Sequence, residues 1–151
     1  MIGIKSMQTD FKKYKEKGDI HWQEAFSRSP FKFNAYLIAR YKMVLDFLGD
    51  IKEKTVVDIG AGDCALTSLI AEKSANIIAI DGSKEGLEYG KKNFEKKELK
   101  GEFLTADIYN IPLADSSADI VISSDVIEHL DKPEKHLEEA ARILKKSGTI
   151  V

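Results

Sequence analysis

Cysteine is almost absent: Cys64 stands alone, so no disulfide framework can hold the chain, and a cytoplasmic setting is the expectation. Long apolar runs are missing too. None approaches the ~20 residues of a bilayer span, so no membrane segment is expected. The charged stretch from Lys5 to Lys17 also lacks the apolar centre of a signal peptide. Neither sign of charge dominates, since 23 Lys and Arg stand against 25 Asp and Glu. Lys91, Lys92, Lys96 and Lys97 alternate with Glu95 and Glu98, as on a solvated helix face, and no nucleic-acid footprint is evident. No internal repeat or low-complexity stretch divides the 151 residues, which suffice for one domain with a core.

What is present is an alternation. Apolar runs predict strands near Thr55 to Ile59, Asn76 to Asp81, Glu102 to Thr105 and Asp119 to Ser123. Helical periods lie between them, near Ala65 to Lys73, Lys84 to Lys97 and Pro133 to Lys146. A further helix from Phe33 to Leu48 carries the stripe Leu37, Ile38, Tyr41, Val44, Leu45 and Leu48, leaving Arg40, Lys42 and Asp46 outside. For the last helix Asp131 is the expected cap and Leu137, Ala140, Ala141 and Leu144 the buried stripe, with His136 on the exposed side. Strands alternating with helices imply an α/β, Rossmann-like, doubly wound and mostly parallel sheet with helices on both faces.

The chemistry concentrates in VVDIGAGDCA, Val56 to Ala65. A strand runs through Asp58 into the Gly60-Ala61-Gly62 turn, whose glycines let backbone bend tightly beside a ligand. Gly60, Gly62 and Ala65 satisfy the dinucleotide fingerprint, and Asp81 follows at about the 20 residues expected of a ribose-binding acid. Asp58 tells against a pyrophosphate, because like charges a few ångströms apart lose about 1 to 4 kcal/mol where opposite charges would gain it. Asp63 in the same loop adds to that repulsion. A ligand with a sulfonium and an ammonium, but no phosphate, suits the acids better.

Asp58-Ile59-Gly60-Ala61-Gly62 resembles the first motif of class I S-adenosylmethionine-dependent methyltransferases. Ile77 to Asp81 resembles the second strand of that family, with Gly82 and Ser83 after it; Asp107-Ile108 resembles the motif after the third strand, and Ala118 to Leu130 the fourth strand with its loop. The resemblance implies that Asp81 binds the ribose hydroxyls, that Asp107 accepts from the adenine amino group, and that the Ile108 N–H meets the ring. It implies a cofactor site made by Asp58, Gly60, Ala61, Gly62, Asp81, Gly82, Asp107, Ile108 and Ser124. S-adenosyl-L-methionine would be the donor, S-adenosyl-L-homocysteine the product, and a small molecule the methyl acceptor. Two other functions stay open, a nucleotide-dependent (NAD-type) oxidoreductase and a non-catalytic S-adenosylmethionine-binding module.

Residues 1–32 are read as an N-terminal segment and 33–151 as the cofactor-binding core. Trp22, Phe26, Phe31, Phe33 and Tyr36 are candidates for a lid over the site, with plain core as the alternative. His129 is the candidate catalytic base, since imidazole titrates near neutrality; packing or capping is its other reading. Asp125, Glu128 and His129 have a spacing compatible with a divalent metal, although no metal is assigned. Members of the family continue beyond the strand that begins at Gly148, so the last strands of the family sheet are missing here and a fragment is the expectation. An edge left open in this way would allow a homodimer.

Overall fold

Val and Ile runs form the centre of the molecule. β1 (Thr55–Ile59), β2 (Asn76–Asp81), β3 (Glu102–Thr105), β4 (Ala118–Ile122) and β5 (Leu144–Ile150) make one sheet in the order β3-β2-β1-β4-β5, with every pair parallel. The computed structural model describes residues 12–27, 34–73 and 76–151; Phe31 and Phe33, two of the lid candidates, lie outside them.

Side chains alternate along each strand, and helices cover both faces. On one face Val56, Ile77, Ala79, Ile120 and Ile122 pack with α3 (Ala35–Leu48), α4 (Ala65–Ala71) and α5 (Lys84–Lys96) through Leu37, Tyr41, Leu66, Ile70, Leu87 and Phe94. On the other, Val57, Ile59, Ile80 and Val121 meet Ala140 and Ile143 of α6 (Pro133–Ile143). The N-terminal α1 (Lys12–Lys17) and α2 (Ile20–Phe26) bury Tyr14, Trp22 and Ala25. Asn34 caps α3 by accepting from the Leu37 N–H at 3.1 Å, and the expected stripe of that helix does face the core. Arg40 does not stay outside, being half-buried.

The last helix departs from its sequence reading. It stops at Ile143 and passes into β5, and its buried side is His136, Ala140 and Ile143, while Leu137 and Ala141 are exposed. A hydrogen bond between His136 and Ser123, at 2.8 Å, draws a polar residue inward and rotates the buried stripe by one position. Asp131 is not the cap, because the helix starts after Lys132 with no side-chain cap. Arg142 at its end donates to the carbonyls of Ile111 and Leu113, both at 2.8 Å, while Glu139 accepts the Ile111 N–H at 2.8 Å. The Arg142 guanidinium and that N–H hold the Glu139 carboxyl down to about 2. Together they fasten the 111–115 loop to the end of α6.

Candidate functional site

In a parallel sheet the strand ends on one side converge. β1 runs into a turn with Gly60 at φ +79° and Gly62 at φ +57°, a backbone that L side chains rarely adopt. Neighbours close over both: a Cβ on Gly60 would run into Val126 Cγ2, and one on Gly62 into Tyr14 Oη.

The N–H groups of this turn are already committed. Gly60 and Ala61 donate to the Ile80 carbonyl at 2.8 and 3.0 Å, and Cys64 donates to the Ala61 carbonyl at 2.8 Å. Gly62 donates to Asp81 Oδ2 at 2.8 Å, and Ser83 donates to Asp81 Oδ1 at 2.7 Å. A pyrophosphate approaching this turn would therefore meet carboxylates and find these amides spent. Each Asp81 oxygen keeps a further lone pair, so the carboxylate is fixed and can still accept.

A cleft of about 930 Å³ opens over the turn, within the range of small-molecule sites. All the predicted cofactor residues line it: Asp58 near the end of β1 with Gly60 to Gly62 beyond it, Asp81 at the end of β2 with Gly82 beyond it, Asp107 and Ile108 after β3, and Ser124 after β4. His129 lines it as well, exposed and carried on a 3-10 turn, Ile127–His129. Asp58 is nearly buried, 2.5 Å from Thr67 Oγ1, and burial raises its carboxyl to about 6 against the pull of that hydroxyl. Burial raises Asp81 too, opposed by the N–H groups of Ser83 and Gly62. Asp107 is exposed and accepts the Tyr109 N–H at 2.9 Å.

Several expectations need correction. Asp63 is fully buried and turned from the cleft; it accepts the His21 N–H at 2.8 Å and faces His21 Nδ1 at 3.1 Å, so its charge serves α2. His21 thus has its partner 42 residues further along the chain. Asp125 pairs with Arg40, and among the described residues no group of three or more His, Cys, Asp or Glu is placed to hold a metal ion. Of the lid aromatics, Trp22 is core, Phe26 leans on it, and Tyr36 is 76% exposed; none of these three lines the cleft.

Lys13, Tyr14, His21, Arg40 and Tyr41 do line it, although no motif or periodicity marks them as site residues. Tyr14 is 1% exposed, and its hydroxyl has no hydrogen-bond partner among the described residues. Burial, then the Asp63 charge, raises its phenol far above the usual range, so it remains a donor. The set of three acceptor carboxylates, an orphaned donor and closed glycine amides fits an adenosine-linked amino acid better than a phosphate ester.

Comparison with known proteins agrees with that chemistry. The family model described as a methyltransferase domain matches residues 57–151. The demethylmenaquinone methyltransferase of Renibacterium salmoninarum is 28% identical over 73% of this chain and 45% of its own length. The ubiquinone biosynthesis O-methyltransferase of Pelagibacter ubique is 26% identical over 65% of this chain and 40% of its own. Among solved structures, a SAM-dependent methyltransferase from Aquifex aeolicus superposes with a TM-score of 0.67 at 28% identity, covering 90% of this chain and 68% of that one. The chain spans less than half the length of both curated relatives named.

Proposed function

The chain belongs to the methyltransferase domain family, and we propose that it transfers a methyl group from S-adenosyl-L-methionine to a small-molecule acceptor. S-adenosyl-L-methionine is the cofactor of such chains, and when bound it supplies a methyl carbon activated by a sulfonium. The carrying observation is the convergence of Asp58, Asp81 and Asp107 on one cleft above a turn whose amides are already donated. In this reading residues 33–151 form the cofactor core. The N-terminal segment, residues 1–32, walls the cleft through Lys13, Tyr14 and His21.

The residue roles follow from charge and position. Asp58 faces the ammonium end, Asp81 accepts from the ribose hydroxyls, and Asp107 with the Ile108 N–H takes the adenine edge. Gly60, Ala61, Gly62, Gly82 and Ser124 present backbone close to the ligand. Transfer needs alignment and exclusion of water more than proton chemistry, because the leaving sulfide is neutral. His129 is the base for an acceptor that must lose a proton, and its exposed imidazole can pass that proton to solvent. Relatives named for menaquinone and ubiquinone chemistry support a small-molecule acceptor. A homodimer through the outer edge of β5 and a cytoplasmic location belong to the same proposal; among the described residues no helix is long and apolar enough to cross a membrane.

Acceptor class is tested by incubating the protein with methyl-labelled S-adenosyl-L-methionine and a cell extract, then separating metabolites from macromolecules. Label enters the metabolite fraction; label confined to protein or nucleic acid contradicts the reading.

The raised Asp58 carboxyl gives a pH dependence with a definite sign. A cation at Asp58 favours the ionised form, so below about 6 binding must first expel a proton. Affinity for S-adenosyl-L-homocysteine is therefore flat above pH 7 and falls by about tenfold between pH 7.5 and pH 5. Calorimetry across that range checks it, with Asp58→Asn as the control that flattens the curve. A wild-type profile that is flat down to pH 5 removes Asp58 from the ammonium site.

A further inference from the structure

His136 is the most unusual polar group outside the roles assigned above. It sits on the inner face of α6 with no exposed surface, behind the cleft wall and outside the cleft lining. Its Nε2 lies 2.8 Å from Ser123 Oγ, immediately before Ser124. The other ring nitrogen, Nδ1, is buried without a hydrogen bond of good geometry, and the Ile108 backbone is close enough to act on the ring as an acceptor, opposing the effect of burial. An imidazole in apolar surroundings stays neutral, with one N–H and one lone pair, and burial holds His136 in that form. The Ser123 hydroxyl can donate to Nε2, which leaves the proton on Nδ1. A buried N–H without an acceptor is uncommon and costly, and the Ile108 backbone that acts on this ring belongs to the segment read as the adenine edge.

We propose that His136 is a positioning residue for the adenine end of the cofactor site: its imidazole ties the Ile108 segment after β3 to the Ser123–Ser124 segment after β4. Binding of adenine settles the 107–110 turn, and the Ile108 carbonyl then accepts from His136 Nδ1–H while Nε2 keeps the Ser123 hydroxyl. Two segments that follow strands separated by β2 and β1 in the sheet are thereby held in one register across the ligand. The proposal rests on the cofactor reading of the cleft, and it concerns a residue that touches no ligand atom.

Calorimetry with S-adenosyl-L-homocysteine and 5′-methylthioadenosine tests it, the second probe having adenine and ribose but no amino acid. His136→Leu fills the volume without polar atoms, and His136→Asn restores an amide close to the Nδ1 position. The leucine variant binds both probes about tenfold more weakly by the same factor, the scale of one lost hydrogen bond, and the asparagine variant recovers most of that loss. The melting temperature of the leucine variant stays close to that of the wild type, because loss of the orphaned Nδ1 offsets loss of the Ser123 bond. A leucine variant that binds both probes within about twofold of the wild type overturns the proposal. Should the leucine variant fail to fold, Ser123→Ala decides: loosening the ring weakens both probes about threefold, and unchanged binding overturns the proposal. A wild-type chain that binds neither probe defeats the cofactor reading itself, and the role of His136 with it.

Discussion

Replacing Asp81 with alanine weakens S-adenosyl-L-homocysteine binding about 100-fold. Hydrogen bonds to a charged group contribute about 1.5 to 3 kcal/mol, and 3 kcal/mol corresponds to about 150-fold in a dissociation constant. The upper part of that range applies because the carboxylate has two tasks. Oδ2 holds the Gly62 N–H at 2.8 Å and Oδ1 the Ser83 N–H at 2.7 Å, so alanine removes the ribose acceptor and also unties the glycine turn from the start of α5. Asp81→Asn separates the two tasks. One oxygen still accepts a backbone N–H, whereas the amide NH₂ faces a donor, so the loss falls between wild type and alanine. Calorimetric titration of the three proteins checks the order. An alanine variant that binds as the wild type does excludes Asp81 from the ribose site.

Gly62→Ala lowers stability by about 2 to 5 kcal/mol. Left-handed backbone costs a residue with a Cβ about 1 to 2 kcal/mol, and overpacking a filled site costs about 1 to 3 more. Both penalties apply, since Gly62 has φ +57° and the new methyl group would collide with the hydroxyl of buried Tyr14. Tyr14→Phe alone changes stability little, because that hydroxyl has no partner to lose among the described residues. In the Gly62→Ala background the same change recovers the steric share and leaves the backbone share. Urea unfolding of the four proteins gives the coupling. Additive effects would mean that the Gly62 and Tyr14 atoms do not meet as the structure has them.

The cofactor side of the cleft was legible because its residues sit in short segments at strand ends. Asp58, Asp81 and Asp107 each follow an apolar run, and a parallel sheet brings such ends together whatever the helices do. Asp63 looked equivalent to Asp58 in the sequence. Its direction depends on Cys64 taking φ +60° and on His21, which lies 42 residues away and is joined to it only by the folded chain. Tyr14 and Lys13 come from a short helix rich in lysine, where one aromatic among charges has no periodicity to mark it. His136 was misplaced for a related reason: helical periodicity sorts apolar from polar residues and cannot foresee that a serine on the neighbouring strand end will pull an imidazole inward. Arg40 shows the limit of that sorting again, since its position outside the apolar stripe takes it to the cleft and to Asp125.

Whether the cleft takes an adenosine-linked amino acid or a dinucleotide is the point on which the account stands. Calorimetric titration with S-adenosyl-L-homocysteine, with NADH as the competing ligand, decides it. The arrangement of Asp58, Asp81 and Asp107 around closed turn amides predicts saturable one-to-one binding of S-adenosyl-L-homocysteine and no heat from NADH. Binding of NADH without binding of S-adenosyl-L-homocysteine would contradict it.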